Sequence, residues 1–195
     1  EKMRFVIVTG VSGAGKTTAL KILEDARYFC VDNLPIPLLE KFAALMASQE
    51  EGQNVALGMD ARSGQSLEEL EQVLDRMKEA GYSFEILFLD ARDQILVKRY
   101  KETRRSHPLA RGGRVDDGIR QERKKMQFLR DRADFIIDTT HLLTRELKEE
   151  VEKIFVDHAE FHNLMISVLS FGFKYGIPAD ADLVFDVRFL PNPYY

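Results

Sequence analysis

Residues Gly10-Val11-Ser12-Gly13-Ala14-Gly15-Lys16-Thr17 constrain this chain more than any other feature. They follow an apolar, β-branched run, Phe5–Val8, and lead into the Ala/Leu/Ile-rich stretch that begins at Lys16. The eight residues fit G-x-x-x-x-G-K-[ST] at every fixed position, and a strand-to-helix context is the setting that pattern requires. Each part has a physical reason. Glycines let successive backbone N–H groups turn toward one point, and the start of the following helix adds its dipole there. Lys16 is the expected contact to β/γ-phosphate oxygens, and Thr17 offers a hydroxyl to Mg²⁺. A nucleoside triphosphate is therefore the expected ligand, with Gly10, Val11, Ser12, Gly13, Ala14, Gly15, Lys16 and Thr17 as its cradle.

The rest of the chain continues the strand–helix alternation that a parallel sheet needs. Strands are expected over Arg4–Thr9, Tyr28–Val31, Asn54–Met59, Glu85–Leu89 and Asp134–Ile137, all rich in Val, Ile and Phe as in strands buried on both faces. Helices are expected over Lys16–Ala26, Pro37–Gln49, Ser66–Ala80 and Glu146–Phe161. The third carries a capping box, Ser66 with Glu69, and one apolar face through Leu67, Leu70, Val73, Leu74 and Met77. The predicted fold is α/β: a P-loop, small-kinase-like parallel sheet of about five strands flanked by helices, over residues 3–162. Leu164–Phe171 and Leu183–Val187 read as two further strands. Two strands cannot bury a core alone, so residues 163–195 either extend the first sheet or, the reading preferred here, start a second domain that continues past this sequence.

Three expected strands end in aspartate: Asp32, Asp60 and Asp90. Ligands of open α/β sheets collect outside the carboxyl ends of strands. Where the third strand lies beside the phosphate loop, its terminal Asp60 becomes the expected Mg²⁺ carboxylate, with Asp90 next. Asp32 is read either as orienting an acceptor hydroxyl or as capping the helix that follows. Residues 98–132 hold thirteen Lys/Arg against five Asp/Glu, a net of +8 that leaves −12 for the remainder of a chain whose formal charge is −4. This segment reads as a lid whose arginines, Arg99, Arg104 and Arg105 first, close over a triphosphate. An RNA-binding face and a solvated charge run are the alternatives.

Other features narrow the class. One cysteine, Cys30, leaves no internal disulfide framework and suits a reducing, cytoplasmic setting; inside a strand it reads as core rather than nucleophile. His107, His141, His158 and His162 lack metal-ligand spacing. No apolar run approaches the ~20 residues of a membrane span, and Met3 reads as the natural start.

Taken together, Gly10–Thr17, Tyr28-Phe29-Cys30-Val31-Asp32-Asn33-Leu34-Pro35, Leu87-Phe88-Leu89-Asp90-Ala91, Arg99-Tyr100, Thr103-Arg104-Arg105 with His107-Pro108-Leu109, and Ser170-Phe171-Gly172-Phe173-Lys174-Tyr175-Gly176-Ile177-Pro178 resemble the RapZ/YvcJ family of bacterial nucleotide-binding proteins along nearly the whole chain. The resemblance implies binding and slow hydrolysis of ATP and GTP, and a separate C-terminal domain. It also implies, for some members, an adaptor role that presents a small RNA to a ribonuclease through that domain. A guanine-nucleotide segment carries over to Asp60, Ala61, Arg62 and Ser63, where Ser63 departs from the Asn of some members. Against this reading stand a small-molecule or nucleoside kinase and an RNA adaptor in which nucleotide is only a regulatory ligand. Preferred base, oligomeric state and partner are not legible.

Overall fold

The computed structural model describes residues 3–48, 52–60, 67–103, 107–110 and 114–156, and beyond them 170–172, 174, 176–177, 181 and 183–186. The chain divides into two compact units, Glu1–Asn163 and Leu164–Tyr195.

In the first unit, five short apolar runs form β1 (Phe5–Gly10), β2 (Phe29–Asp32), β3 (Val55–Gly58), β4 (Glu85–Asp90) and β5 (Phe135–Asp138). They pair in parallel in the order β2-β3-β1-β4-β5. The helices are α1 (Lys16–Asp25), α2 (Leu39–Ala47), α3 (Leu67–Glu79), α4 (Asp93–Thr103), α5 (Val115–Asp131) and α6 (Thr144–Phe155). The expected α/β parallel sheet is the observed one, and β3 does lie beside β1.

Alternation along β1 divides the core. Val6 and Val8 point to a cluster built with Leu20 and Leu23 of α1 and Val151 and Phe155 of α6; Phe5 and Ile7 point to one built with Leu39 and Met46 of α2 and Leu70, Leu74 and Met77 of α3. Period-two burial on both faces is what a central parallel strand requires. Helix α5 serves both clusters, with Ile119 in the first and Met126 and Leu129 in the second. Arg4 ties β1 to β4 and α6: it forms a two-pronged pair with Glu85 at 2.7–2.8 Å, donates to the Ile154 carbonyl, and lies 4.9 Å from the centre of the Phe155 ring.

The structure departs from the sequence-based expectation in three places. The segment from Pro37 does not begin as an α-helix. Ile36–Leu38 form a 3-10 turn with Pro35 at its N-cap, and α2 starts at Leu39. The basic segment contains a seventeen-residue helix, α5, whose boundaries were not drawn from its charge. In the second unit, the described parts of the two expected strands, residues 170–171 and Leu183–Asp186, lie in no sheet. Leu183 and Phe185 are 78% and 79% exposed. The remainder of those runs, and Ser66 of the capping box, lie outside the described residues.

Candidate functional site

The carboxyl ends of β1, β3 and β4 and the start of α1 meet at the glycine loop. Gly10 has φ +144°, and a Cβ there would sit 2.1 Å from the Leu89 carbonyl oxygen of the paired strand. Only glycine allows β1 to turn away from β4 at this point. Gly15 caps α1 in the left-handed region, at φ +108°. Several loop amides are already used: Val11 N–H bonds Leu89 O at 3.1 Å and Ala14 N–H bonds Val11 O at 3.0 Å. A helix start leaves its first-turn N–H groups without intrahelical acceptors. Those of Lys16 and Thr17 are thus available to an anion, beside the exposed Thr17 side chain.

Lys16 is the centre of the arrangement. Its side chain is only 11% exposed, with Nζ 3.2 Å from Asp60 Oδ2 and 3.6 Å from Asp32 Oδ1. These are ion-pair distances, yet Nζ makes no hydrogen bond; with Thr9 Oγ1 it is one of two such buried side-chain atoms among the described residues. Both flank the loop. A buried ammonium ion-paired to two carboxylates at the start of α1, with no hydrogen bond closed to either, can turn toward an anion held by the loop. The fit to a phosphate is good. The fit to Mg²⁺ is of the kind expected when one or two carboxylates and the substrate phosphates share the ion: Thr17 opens α1, and Asp60, 5% exposed, follows β3. Among the described residues no three His, Cys, Asp or Glu side chains form a metal cluster.

The strand-end aspartates separate. Asp32 and Asp60 converge on Lys16. Asp90, the second aspartate expected near the metal, is tied to α5: Arg123 donates to its Oδ1 at 2.8 Å, Arg130 approaches its Oδ2 at 3.3 Å, and the Ala91 N–H donates to Oδ1. Its charge is spent fastening α5 to β4. Burial disfavours the Arg123 charge, but the hydrogen bonds it donates to Asp93 and Asp90 outweigh it and raise its pKa.

A second set of contacts holds the loop from the side. Arg99, expected in a lid, donates to Gly13 O at 3.0 Å and to Thr139 Oγ1 and O at 3.1 and 2.6 Å, while Thr139 Oγ1 lies 2.8 Å from Ala14 O. Arg99 thus joins the phosphate loop to the end of β5. Glu122 of α5, absent from the expected set, accepts from Ser12 N–H and Oγ–H at 2.9 and 2.6 Å and lies 3.1 Å from His107 Nε2. The signal for Glu122 is visible in hindsight: it is the one acid on the Ile119–Met126–Leu129 buried face of α5.

Arg104 and Arg105, and Ala61, Arg62 and Ser63, lie outside the described residues. Part of the +8 excess is met by acids outside the segment: Asp90 and Asp93 pair with Arg123, Asp90 also with Arg130, and Asp75 and Glu71 with Arg132, while Arg114–Asp116 and Arg120–Asp117 pair within it. Cys30 donates toward Leu20 O, and burial, with Glu24 nearby, pushes its thiol up to about 11. It packs, half-buried, against the core. No helix among the described residues is long and apolar enough to cross a membrane.

Comparison with known proteins agrees with this geometry. Residues 3–159 match the RapZ-like N-terminal domain and residues 164–195 the RapZ C-terminal domain. A protein of Lachnoclostridium phytofermentans named nucleotide-binding protein is 65% identical over 194 residues, covering 99% of this chain and 68% of that protein. One of the same name from Agathobacter rectalis is 58% identical over 194 residues, 99% of this chain and 67% of that protein. Among solved structures, shikimate kinase from Bacteroides thetaiotaomicron superposes with TM-score 0.52 at 18% identity, covering 78% of this chain and 96% of that one. Shikimate kinase from Acinetobacter baumannii gives 0.53 at 18%, covering 81% and 96%. At such identities the likeness establishes the P-loop kinase-like fold alone.

Proposed function

The chain belongs to the RapZ-like family, and on that premise we propose that it is a regulatory nucleotide-binding protein that takes ATP and GTP with Mg²⁺ at Gly10–Thr17 and hydrolyses them slowly. The observation that carries this reading is Lys16 Nζ, buried in a glycine loop between Asp60 and Asp32 with no hydrogen bond of its own. In this reading Lys16 exchanges its carboxylate neighbours for β/γ-phosphate oxygens. The loop and first-turn amides of α1 would hold the remaining phosphate charge, and Thr17 and Asp60 would hold Mg²⁺, whose positive charge would offset that of the phosphates. Arg104 and Arg105 are the proposed lid arginines, and Asp60, Ala61, Arg62 and Ser63 the proposed guanine-nucleotide segment. Residues 164–195, matching the RapZ C-terminal domain, support a nucleotide domain that reports to a C-terminal effector, which would contact a small RNA or ribonuclease in the cytoplasm.

A second reading, a small-molecule or nucleoside kinase, is favoured by one observation. Asp32, 41% exposed, stands 3.6 Å from Lys16, where an acceptor hydroxyl would be oriented. The two readings part in one assay, in which γ-labelled ATP is incubated with the protein and with nucleosides, sugars and nucleotides in turn. Release of inorganic phosphate alone supports the regulatory reading. Transfer to an acceptor at kinase rates of ~1–100 s⁻¹ overturns it. In the same assay, replacing Arg104 and Arg105 together by alanine is expected to lower turnover more than triphosphate affinity, as groups acting in the transition state do. An equal loss in both would assign them to simple phosphate attraction.

A further inference from the structure

Glu122 is fully buried, 110 residues from the loop it touches, and both of its carboxylate oxygens are engaged. One oxygen accepts the Ser12 hydroxyl at 2.6 Å; the other accepts the Ser12 N–H at 2.9 Å and lies 3.1 Å from His107 Nε2. His107 is itself buried, and its Nδ1 accepts the Leu109 N–H at 3.1 Å. That acceptor role places the ring proton on Nε2, so His107 donates to Glu122. The imidazole is fixed on its other sides: the Tyr100 ring lies 5.1 Å away, and a Cβ on Gly118 would come within 2.5 Å of Nδ1.

A carboxylate beside a phosphate-binding loop repels the ligand the loop serves, and burying it is unfavourable unless every lone pair is used. Its presence therefore calls for a positional account. Ser12 is the loop residue whose amide and hydroxyl both turn outward, to α5. Two bonds to one rigid carboxylate fix its rotation, and with it the direction of the amides on either side.

We propose that Glu122 is a positioning residue of the phosphate site: it sets the conformation of the loop at Ser12 and, through His107, joins the loop to the 107–110 segment. The role is one of shape and not of charge. A glutamine at 122 can reproduce the pattern, its Oε1 accepting from Ser12 N–H and His107 Nε2–H while its NH₂ donates to Ser12 Oγ. Aspartate keeps the charge but falls one methylene short.

The proposal rests on the nucleotide reading, and its test separates the two. Mg-ATP affinity and phosphate release are measured on wild type, Glu122→Gln, Glu122→Asp and Ser12→Ala, each at a temperature where its melting curve shows it folded. Glu122→Gln is expected to bind at or above wild-type affinity, and Glu122→Asp about 10-fold or more weaker, because the loop is no longer held at Ser12 in its binding conformation. A residue that merely holds α5 would change melting temperature and leave affinity alone. Equal binding by wild type, Glu122→Gln and Glu122→Asp overturns the proposal, and so does a loss as large in Glu122→Gln as in Glu122→Asp. If Glu122→Asp does not fold, Ser12→Ala decides: weakened binding at an unchanged melting temperature supports it, and unchanged binding overturns it. Absence of binding in the wild type overturns the nucleotide reading, and this proposal with it.

Discussion

Replacing Lys16 with alanine is expected to weaken Mg-triphosphate binding by on the order of 100-fold, the size of losing a charge-assisted contact to phosphate in a largely desolvated site. Hydrolysis should fall to background. The substitution also acts on the protein without ligand. Lys16 is 11% exposed and faces Asp60, which is 5% exposed, so removing the ammonium leaves a buried carboxylate with less compensation. The cost is held to ~1–3 kcal/mol because Nζ makes no hydrogen bond. A domain of this size should then melt a few degrees lower. The companion Lys16→Ala with Asp60→Asn should recover most of that melting temperature and none of the affinity. Wild-type affinity in Lys16→Ala would show that the loop is not the triphosphate site.

The second large effect lies one turn of chain earlier. Gly10→Ala is expected to destabilise the protein by at least about 3 kcal/mol, roughly 6–12 °C in melting temperature. Two terms add. Gly10 has φ +144°, a conformation side chains rarely adopt, and the new Cβ would stand 2.1 Å from Leu89 O and 2.7 Å from Leu89 N. Both are backbone atoms of the strand that pairs with Gly10, so neither can swing aside as a side chain would. Chemical denaturation checks it, and a midpoint within error of wild type would mean β1 leaves the sheet before Gly10.

What could be read in the sequence follows from what each residue is asked to do. The phosphate loop was legible because tight turning, amide convergence and a phosphate-reaching cation each admit few residue types at fixed spacing. The strands were legible because β-branched runs between helical patterns have few other uses. Strand order brought attention to Asp60, and that order is observed: β3 lies beside β1 and places Asp60 next to Lys16. Asp90 shows the limit. As a strand-end aspartate it looks like Asp60, and only the packing of α5, which brings Arg123 and Arg130 onto it, sets the two apart. The same helix explains the charge asymmetry. Its arginines read as an open basic face in one dimension, whereas in three dimensions several are committed to acids far away in sequence. Glu122 was missed for the converse reason, since its two partners lie 110 and 15 residues away. The end of the chain stayed ambiguous because Leu183–Asp186 has strand composition but no ladder.

The central claim is that Gly10–Thr17 take up a nucleoside triphosphate. Titration calorimetry of the wild-type protein with ATP, GTP and UTP in Mg²⁺, with AMP and inorganic phosphate as comparisons, tests it most directly. The account predicts saturable one-to-one binding of ATP and GTP, much weaker binding of AMP and phosphate, and loss of the triphosphate heat when Mg²⁺ is chelated. No saturable heat with any triphosphate at millimolar concentration, from protein shown to be folded, would contradict it.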